Sequence, residues 1–226
     1  MKFKFFRLLK TIFSGQLKFH TAQYGEDIYL HKIFRNSQNR GFYLDVGAHH
    51  PFAISNTAYL WLLGWSGINV DASESAIRLF NSVRKNDINI SGAVISEKSL
   101  RKNPKTRFYF NSDIDNCATC DAELARQRNL VNWIDVRSIG IIELIKMGQE
   151  NFGDKFDLLN IDIEGLDEEV IENIKLWPIY PRFIMIEIYS ESIDELYQKK
   201  SVINLKANGY SLKQRMGHTA VFEKSK

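Results

Sequence analysis

The sequence predicts an open α/β domain in which helices cover both faces of a mostly parallel sheet and an antiparallel hairpin completes it. Three observations predict this class. Short apolar runs alternate with helix-like segments, the first of these runs ends at a glycine, and the last two runs flank a Met-Gly-His turn. With 226 residues, 44% hydrophobic and 25% charged, the chain matches an ordinary globular domain.

The first half predicts a βαβαβ unit. A helix begins near Gly25, and the apolar run at 41–46 is short enough for a buried parallel strand. The alternation then predicts helices at 55–63 and 74–84 and strands at 67–71 and 88–95. Residues 46–70 contain no Asp, Glu, Lys or Arg, but their glycines, histidines and proline indicate a buried segment rather than a membrane span.

The second half begins with a less regular stretch at 100–137 and then resumes the alternation. The irregular stretch predicts strands at 107–110 and 131–136 around a helix at 120–128. Asn208-Gly209 ends the last predicted helix. The remaining predicted elements are helices at 138–147, 166–174 and 193–207, and strands at 156–163, 183–188, 210–215 and 219–223.

Charge and cysteine content exclude several classes. Thirty Lys and Arg against 27 Asp and Glu give a net charge of +3, too small to indicate a nucleic-acid partner. Cys117 and Cys120 are too few for a disulfide framework, which favours the reducing cytoplasm. Their C-x-x-C spacing supplies half of a zinc site, and we interpret it as chance spacing.

The chain divides into an N-terminal arm at 1–20 and one domain at 21–226. The arm mixes phenylalanines and leucines with lysines and an arginine, without the uninterrupted apolar core of a secretory signal. It predicts a basic amphipathic helix, packed either on its own domain or, through residues 1–19, on the inner face of a membrane. The sequence leaves the oligomeric state open.

Carboxylates fall at the ends of the predicted strands. They are Asp45, Asp71, Asp162, Glu164 and Glu187. A buried ionised carboxylate is costly unless it is paired or faces a polar crevice, and ligands of open α/β sheets bind beyond the carboxyl ends of the strands. These acids therefore predict a shared site.

Other roles for these acids stay open. Asp162 or Glu164 would also suit the start of the following helix, and Glu187 a buried ion pair. As a cluster, the three acids would either bind Mg²⁺ or Mn²⁺ or raise one another's pKa and supply a base. His218, in the hairpin turn, is either a solvated loop residue or a contact to the substrate.

The turn after the first strand predicts a nucleoside site. Gly47 allows close backbone approach, although the segment lacks the G-x-G-x-x-G pattern. Asp71 lies 24 residues beyond Gly47, where an acid accepts hydrogen bonds from ribose hydroxyls in nucleotide-binding folds.

Six sequence blocks in order resemble the FkbM-type methyltransferases, class I enzymes that use S-adenosylmethionine. The blocks are QYGEDIYL at 23–30, GFYLDVGAHHPF at 41–52, SNT at 55–57, GWSGINVD at 64–71, DLLNIDIEG at 157–165 and FIMIE at 183–187. The resemblance implies a Rossmann-like sheet of seven strands whose last strand is antiparallel. It also implies O-methylation in glycan, capsule or natural-product pathways.

The resemblance assigns roles to particular residues. Those that match its cofactor-binding positions are Asp45, Gly47, Ala48, Ser55, Asn56 and Asp71. Asp162, Glu164 and Gly165 match its D-x-E-G block. The segment His49-His50-Pro51 departs from the Asn and second glycine found in many members.

We therefore predict S-adenosylmethionine-dependent O-methylation of a sugar hydroxyl, on a nucleotide-linked sugar or a glycan or capsule intermediate. The predicted catalytic residues are Asp162, Glu164, Glu187 and His218. A sugar dehydrogenase or epimerase that uses NAD(P) is the same-fold alternative, disfavoured by the missing glycine pattern. A non-catalytic glycan-binding protein on this fold is the other alternative.

Overall fold

The computed structural model describes residues 20–37 and 40–225. The arm predicted at 1–20 thus lies, apart from residue 20, outside the described residues. Within the described ranges, seven strands form one sheet in the order β3-β2-β1-β7-β8-β10-β9. These strands are β1 (Phe42–Val46), β2 (Ser66–Asp71), β3 (Ile88–Ser91), β7 (Phe156–Ile161), β8 (Phe183–Glu187), β9 (Tyr210–Met216) and β10 (Thr219–Lys224).

Neighbouring strands pair in parallel along the part of the sheet ordered β3-β2-β1-β7-β8. β10 lies between β8 and β9 and is antiparallel to both. This arrangement confirms the predicted mostly parallel sheet of seven strands with a closing hairpin. The helices are α1 (Glu26–Phe34), α2 (Ala58–Leu62), α3 (Glu74–Val83), α4 (Glu97–Leu100), α5 (Ala122–Gln127), α6 (Ile141–Phe152), α7 (Asp167–Val170), α8 (Ile193–Gln198) and α9 (Lys200–Ala207).

Helices cover both faces of the sheet because successive strand residues point to opposite sides. In β1, Phe42 and Leu44 join a core with residues of α6, α8 and α9. Tyr43, between them, joins a second core with Leu30 and Phe34 of α1. No helix in the described ranges combines the length and the apolar character that crossing a bilayer requires.

The strand predicted at 88–95 is two strands. β4 (Ala93–Ile95) leaves the main sheet and joins β5 (Lys105–Phe110) and β6 (Asn132–Gly140) in a small sheet of order β4-β6-β5. The break lies at Gly92, where a Cβ atom would stand 2.6 Å from the Ile139 side chain and 2.9 Å from the Arg137 carbonyl oxygen.

Four predicted helices also differ from the structure. Residues 138–140 belong to β6, so the helix predicted at 138–147 begins at Ile141. The helix predicted at 193–207 divides at Lys199, whose ψ of 138° is extended. The helix predicted at 55–63 is shorter in the structure and corresponds to α2. The helix predicted at 166–174 is only α7, and a separate 3₁₀ turn follows at Ile174–Leu176.

Candidate active site

A cavity of about 300 Å³ opens beyond the carboxyl ends of β1, β2, β7 and β8. Its wall includes Gly47 and Asp71 from the predicted cofactor residues and all four predicted catalytic residues. The wall also includes the segment 115–120, which follows β5. The structure therefore brings the predicted acids of β2, β7 and β8 to one cavity.

Gly47 allows three strands to meet at the floor of this cavity. Its φ of 80° is left-handed, and a Cβ atom there would lie 1.7 Å from the carbonyl oxygen of Asp162. The N–H groups of Gly47 and Ala48 donate to the Val70 carbonyl at 2.9 and 3.0 Å. A side chain at position 47 would thus separate β1 from the turn that follows β7.

Asp71 binds the loop that follows Gly47. Its carboxylate accepts the N–H of His49 at 2.8 Å and the N–H of Ser73 at 2.7 Å. Burial raises the pKa of Asp71, and these two N–H groups oppose the increase. Because a carboxylate has about four lone-pair sites, it keeps the capacity to accept from a ligand.

The segment His49-His50-Pro51, which departs from the family's usual sequence, forms part of the turn after β1. His49 has a φ of 54°, and its Nδ1 is buried at the cavity with no hydrogen-bond partner among the described residues. The Nδ1 of His50 accepts the N–H groups of Phe52 and Ala53, at 3.0 and 2.8 Å. His50 thus organises the turn, whereas His49 leaves one nitrogen free for a ligand.

A buried arginine that the sequence analysis did not single out donates hydrogen bonds to the loop after β1. Arg84 is fully buried and donates to the Pro51 carbonyl at 2.5 Å and to Ser55 Oγ at 3.1 Å. Its other terminal nitrogen contacts Thr57 Oγ1 at 2.8 Å. The guanidinium also lies over the ring of Phe80, 4.9 Å from the centroid.

Asp45 belongs to the same network. Its carboxylate accepts Thr57 Oγ1 at 2.5 Å and Asn160 Nδ2 at 2.9 Å. Burial raises its pKa, and the bonds from Thr57 and Asn160 and the charge of Arg84 oppose that increase. Asn56 donates to Asn160 at 3.1 Å.

The predicted cofactor residues thus occupy two layers. Gly47 and Asp71 form part of the cavity wall. Asp45, Ala48, Ser55 and Asn56 do not line it, and the hydrogen bonds of Asp45, Ser55 and Asn56 go to other residues of the protein. The family resemblance placed all six in one group, because a matching sequence position does not separate a residue that lines a cavity from one that only supports it.

The QYGED segment ties the cavity to the rest of the chain. Asp27 accepts the N–H of Thr21 at 2.5 Å, and Thr21 in turn exchanges hydrogen bonds with the backbone of Ser55. Glu26 accepts the N–H of Tyr24 at 2.8 Å and the Thr219 hydroxyl at 3.1 Å. Both acids are buried, and their hydrogen bonds connect residues 47–57, which we call the cofactor loop, to the hairpin.

Asp162, Glu164 and Glu187 form one carboxylate cluster, with an oxygen of each within 4.8 Å of the others. Burial and the neighbouring charges of Asp167, Glu187 and Glu164 raise the pKa of Asp162 well above its ordinary value. Asp167 accepts the N–H groups of Ile163 and Gly165, at 2.9 and 3.0 Å. The N-cap position of α7 is Leu166 and no side-chain hydrogen bond caps this helix, so neither Asp162 nor Glu164 takes the role that the capping alternative gave them.

Arg128 balances part of the cluster's charge. It donates to Glu164 at 2.6 Å and to the Cys117 carbonyl at 2.9 Å. Within the described part of the chain, this arginine pairs with Glu164 and no cation pairs directly with Glu187. Sequence reasoning missed Arg128 because it lies in the irregular stretch, 36 positions from Glu164.

Glu187 is suited to exchange a proton near neutral pH. Burial and the charges of Glu164 and Asp167 raise its pKa to about 7, while a hydrogen bond with Tyr189 and the charge of Arg128 oppose the increase. Its Oε2 is buried and contacts no donor among residues 20–37 and 40–225.

His218 lies beside this cluster. Its ring is 4.6 Å from that of Tyr189, and its carbonyl accepts the N–H of Ile188 at 2.9 Å. Its Nδ1 is buried and lacks a partner in the described structure. The histidine is therefore part of the cavity wall rather than a solvated loop residue.

The two cysteines also line the cavity. Burial, with the nearby charge of Asp71, raises the pKa of Cys120 to about 12, so this thiol stays protonated. Among the described residues, Cys117 and Cys120 join no group of three side chains that would hold a metal. Neighbouring Thr119 donates to the Glu164 carbonyl at 2.5 Å, which fixes this part of the wall to the carboxylate turn.

Comparison with known families decides the class of protein. The family model described as the methyltransferase FkbM domain matches residues 45–212, about three quarters of the chain. The chain belongs to the FkbM methyltransferase family. The match includes Asp71 and the three clustered acids, and ends before His218. No curated protein matches the sequence at a significant level. Family membership confirms the resemblance and favours methyl transfer over the NAD(P)-dependent alternative.

Proposed function

We propose that this FkbM methyltransferase uses S-adenosylmethionine to O-methylate a sugar hydroxyl, on a nucleotide-linked sugar or a glycan intermediate. The observation that carries the proposal is the position of Glu187. Glu187 has a pKa of about 7 and a carboxylate oxygen without a partner among the described residues. It shares a cavity with Asp71, the acid predicted to accept hydrogen bonds from ribose hydroxyls.

The residues around Asp71 fit a nucleoside with a charged tail. Ala72, Val94 and Phe108 form an apolar wall for a base, and Asp71 retains lone pairs for ribose hydroxyls. His49 Nδ1 offers a buried polar atom that a ligand can satisfy. When bound, S-adenosylmethionine supplies a methyl group already activated by its positive sulfur.

The carboxylate cluster supports removal of the hydroxyl proton. Glu187 accepts that proton at Oε2, because its pKa of about 7 leaves part of the population ionised at neutral pH. Repulsion from Glu164 and Asp167 keeps that pKa high. Asp162 and Glu164 orient the acceptor through hydrogen bonds. Arg128 limits the repulsion by pairing with Glu164.

Calorimetry tests the cofactor half of the proposal. We expect the protein to bind S-adenosylhomocysteine in preference to NAD⁺. Asp71→Ala should weaken binding by roughly ten- to a hundredfold, since a hydrogen bond to a charged group contributes about 1.5–3 kcal/mol. Correctly folded protein that binds neither S-adenosylhomocysteine nor S-adenosylmethionine would refute the proposal.

Methyl transfer from labelled cofactor to a panel of nucleotide sugars tests the chemistry. Asp162→Asn, Glu164→Gln and Glu187→Gln should each lower turnover by about 10² to 10⁴ and leave cofactor affinity within a few fold. Glu172→Gln, a change at an exposed acid, is the matched control. Unchanged turnover in all three variants would make these acids structural.

We also propose a cytoplasmic location, with peripheral contact at the inner membrane face through residues 1–19. The support is the low cysteine content and the basic, apolar composition of the arm.

A further inference from the structure

Two half-exposed tyrosines border the cavity on the side of the carboxylate cluster. Tyr24 is 52% exposed and Tyr189 is 49% exposed, although both belong to the cavity wall. Exposed aromatic rings beside a cavity are typical of a binding surface rather than of a core.

The hairpin turn lies between these tyrosines. A Cβ atom at Gly217 would be 2.6 Å from the Tyr24 ring, so this ring packs on the turn. Tyr189 packs on the next residue, His218, with ring centroids 4.6 Å apart and planes inclined by 33°. The three rings therefore follow one another along the turn.

Glu26 holds this arrangement in place. One carboxylate oxygen accepts the N–H of Tyr24 and the other accepts the hydroxyl of Thr219, directly after the turn. Because Glu26 is buried and Thr219 pairs with Glu187 across the sheet, Tyr24 has a fixed position relative to the acid cluster. The rings form a prearranged surface.

Unsatisfied polar atoms accompany the rings. Glu187 Oε2 and His218 Nδ1 are both buried without partners in the described ranges. A buried polar atom without a partner is costly, so these atoms favour a ligand that brings hydroxyl groups. Apolar ring faces next to unpaired polar atoms match a pyranose, which has C–H groups on its faces and hydroxyls at its edge.

Sheet order separates this surface from Asp71. Three strand spacings, about 14 Å, lie between β2, which carries Asp71, and β8, which carries Glu187. A nucleoside held at Asp71 would therefore leave the tyrosines uncovered.

We propose that Tyr24, Tyr189 and His218 form the acceptor subsite and hold a pyranose ring against the Glu187 carboxylate. This inference rests on the proposed function. The tyrosine rings contact the apolar face of the sugar, while Glu187 Oε2 and His218 Nδ1 bond to its hydroxyls.

Titration of simple sugars tests the subsite without knowledge of the natural acceptor. The protein, saturated with S-adenosylhomocysteine, is titrated with methyl glycosides of glucose, galactose, mannose, fucose and N-acetylglucosamine, followed by saturation-transfer NMR. We expect at least one glycoside to bind. Tyr24→Ala and Tyr189→Ala should each weaken its affinity about tenfold, and Tyr189→Phe, which keeps the ring, should stay within about threefold of wild type.

Tyr197→Ala is the matched control, since Tyr197 is 40% exposed on α8 and lies against Lys206 instead of the cavity. Affinity unchanged in both cavity variants, or lowered equally by Tyr197→Ala, would overturn the subsite. Binding of S-adenosylhomocysteine without binding of any glycoside would also overturn it, and would leave the cofactor proposal intact. Failure to bind S-adenosylhomocysteine would refute the proposed function instead.

Discussion

Replacement of Arg84 by methionine tests whether the cofactor loop depends on a buried cation. Five hydrogen bonds from its terminal nitrogens reach Tyr43, Pro51, Ser55, Thr57 and Asn69. Methionine fills similar space but leaves those acceptors unpaired. It also removes the positive charge that lowers the pKa of two buried acids, Asp45 and Asp87.

The magnitude follows from the burial of the network. Removing one partner of a buried charged network costs about 3–5 kcal/mol, because the remaining groups stay desolvated. In a chain of this size, each kcal/mol lowers Tm by about 2–4 °C, so Arg84→Met should lower it by about 6–20 °C. The Tm of Arg84→Lys should fall between those of the wild type and Arg84→Met. An ammonium group keeps the positive charge but cannot reproduce the planar arrangement of donors in a guanidinium.

Urea unfolding followed by circular dichroism measures this difference. Arg78→Met is the matched control, because Arg78 is an exposed residue of α3, the helix that Arg84 directly follows, and pairs with Glu74 at 3.1 Å. We expect the control to change the free energy of unfolding by less than about 0.5 kcal/mol. A loss below about 1 kcal/mol for Arg84→Met would refute the reasoning, since the acids would then be stable without the guanidinium.

Three further predictions concern pH, metal and the arm. Glu187→Gln should raise the free energy of unfolding by about 1 kcal/mol at pH 8, because the folded pKa of about 7 exceeds the ordinary 4.5 and the ionised form is the unfavourable one. This gain should disappear as pH falls through that range to below 4.5, and equal urea midpoints for the two proteins at pH 8 would contradict it. Methyl transfer should persist in excess EDTA, because the pairing of Arg128 with Glu164 and the partial protonation of Glu187 near pH 7 already relieve the cluster's charge. Loss in EDTA with recovery on addition of Mg²⁺ or Mn²⁺ would establish the metal site at Asp162, Glu164 and Glu187 instead. Deletion of residues 2–18 should abolish sedimentation with anionic vesicles, and equal sedimentation of both chains, or none to begin with, would exclude membrane contact.

The sheet was predictable because its strands are short, apolar and separated by helices. The local sequence pattern does not predict the secondary structure correctly where pairing with a distant segment determines it. Residues 88–95 are apolar apart from Asn89 and Ser91-Gly92, a pattern that fits one strand, yet they divide because β4 pairs with β6, more than 40 positions later. Lys199 ends one helix and begins the next within a stretch that has helical composition throughout.

The location of the candidate site was predictable, because its acids lie at the ends of predicted strands. Their individual partners were not, because those partners come from other parts of the chain. Arg84 directly follows α3, where a lone arginine is typical of a solvent-facing position, yet the acceptors of its side-chain hydrogen bonds lie 15 to 41 positions away. Tyr189 has the same limitation, since only the turn from β9 to β10 brings His218 against it.

The pairing of β1 with β7 has a consequence for how the protein folds. Asp45 and Asn160 are register partners although 115 positions separate them. Closing so long a loop costs entropy before any contact compensates for it, so the centre of the sheet should assemble late and folding should be slow. The acids at the ends of β7 and β8 have no fixed distance from the cofactor loop until that step. The repulsion that raises the pKa of Glu187 comes from Glu164 and Asp167, which the pairing of β7 with β8 brings close to it, so this repulsion opposes an earlier and more local step of folding.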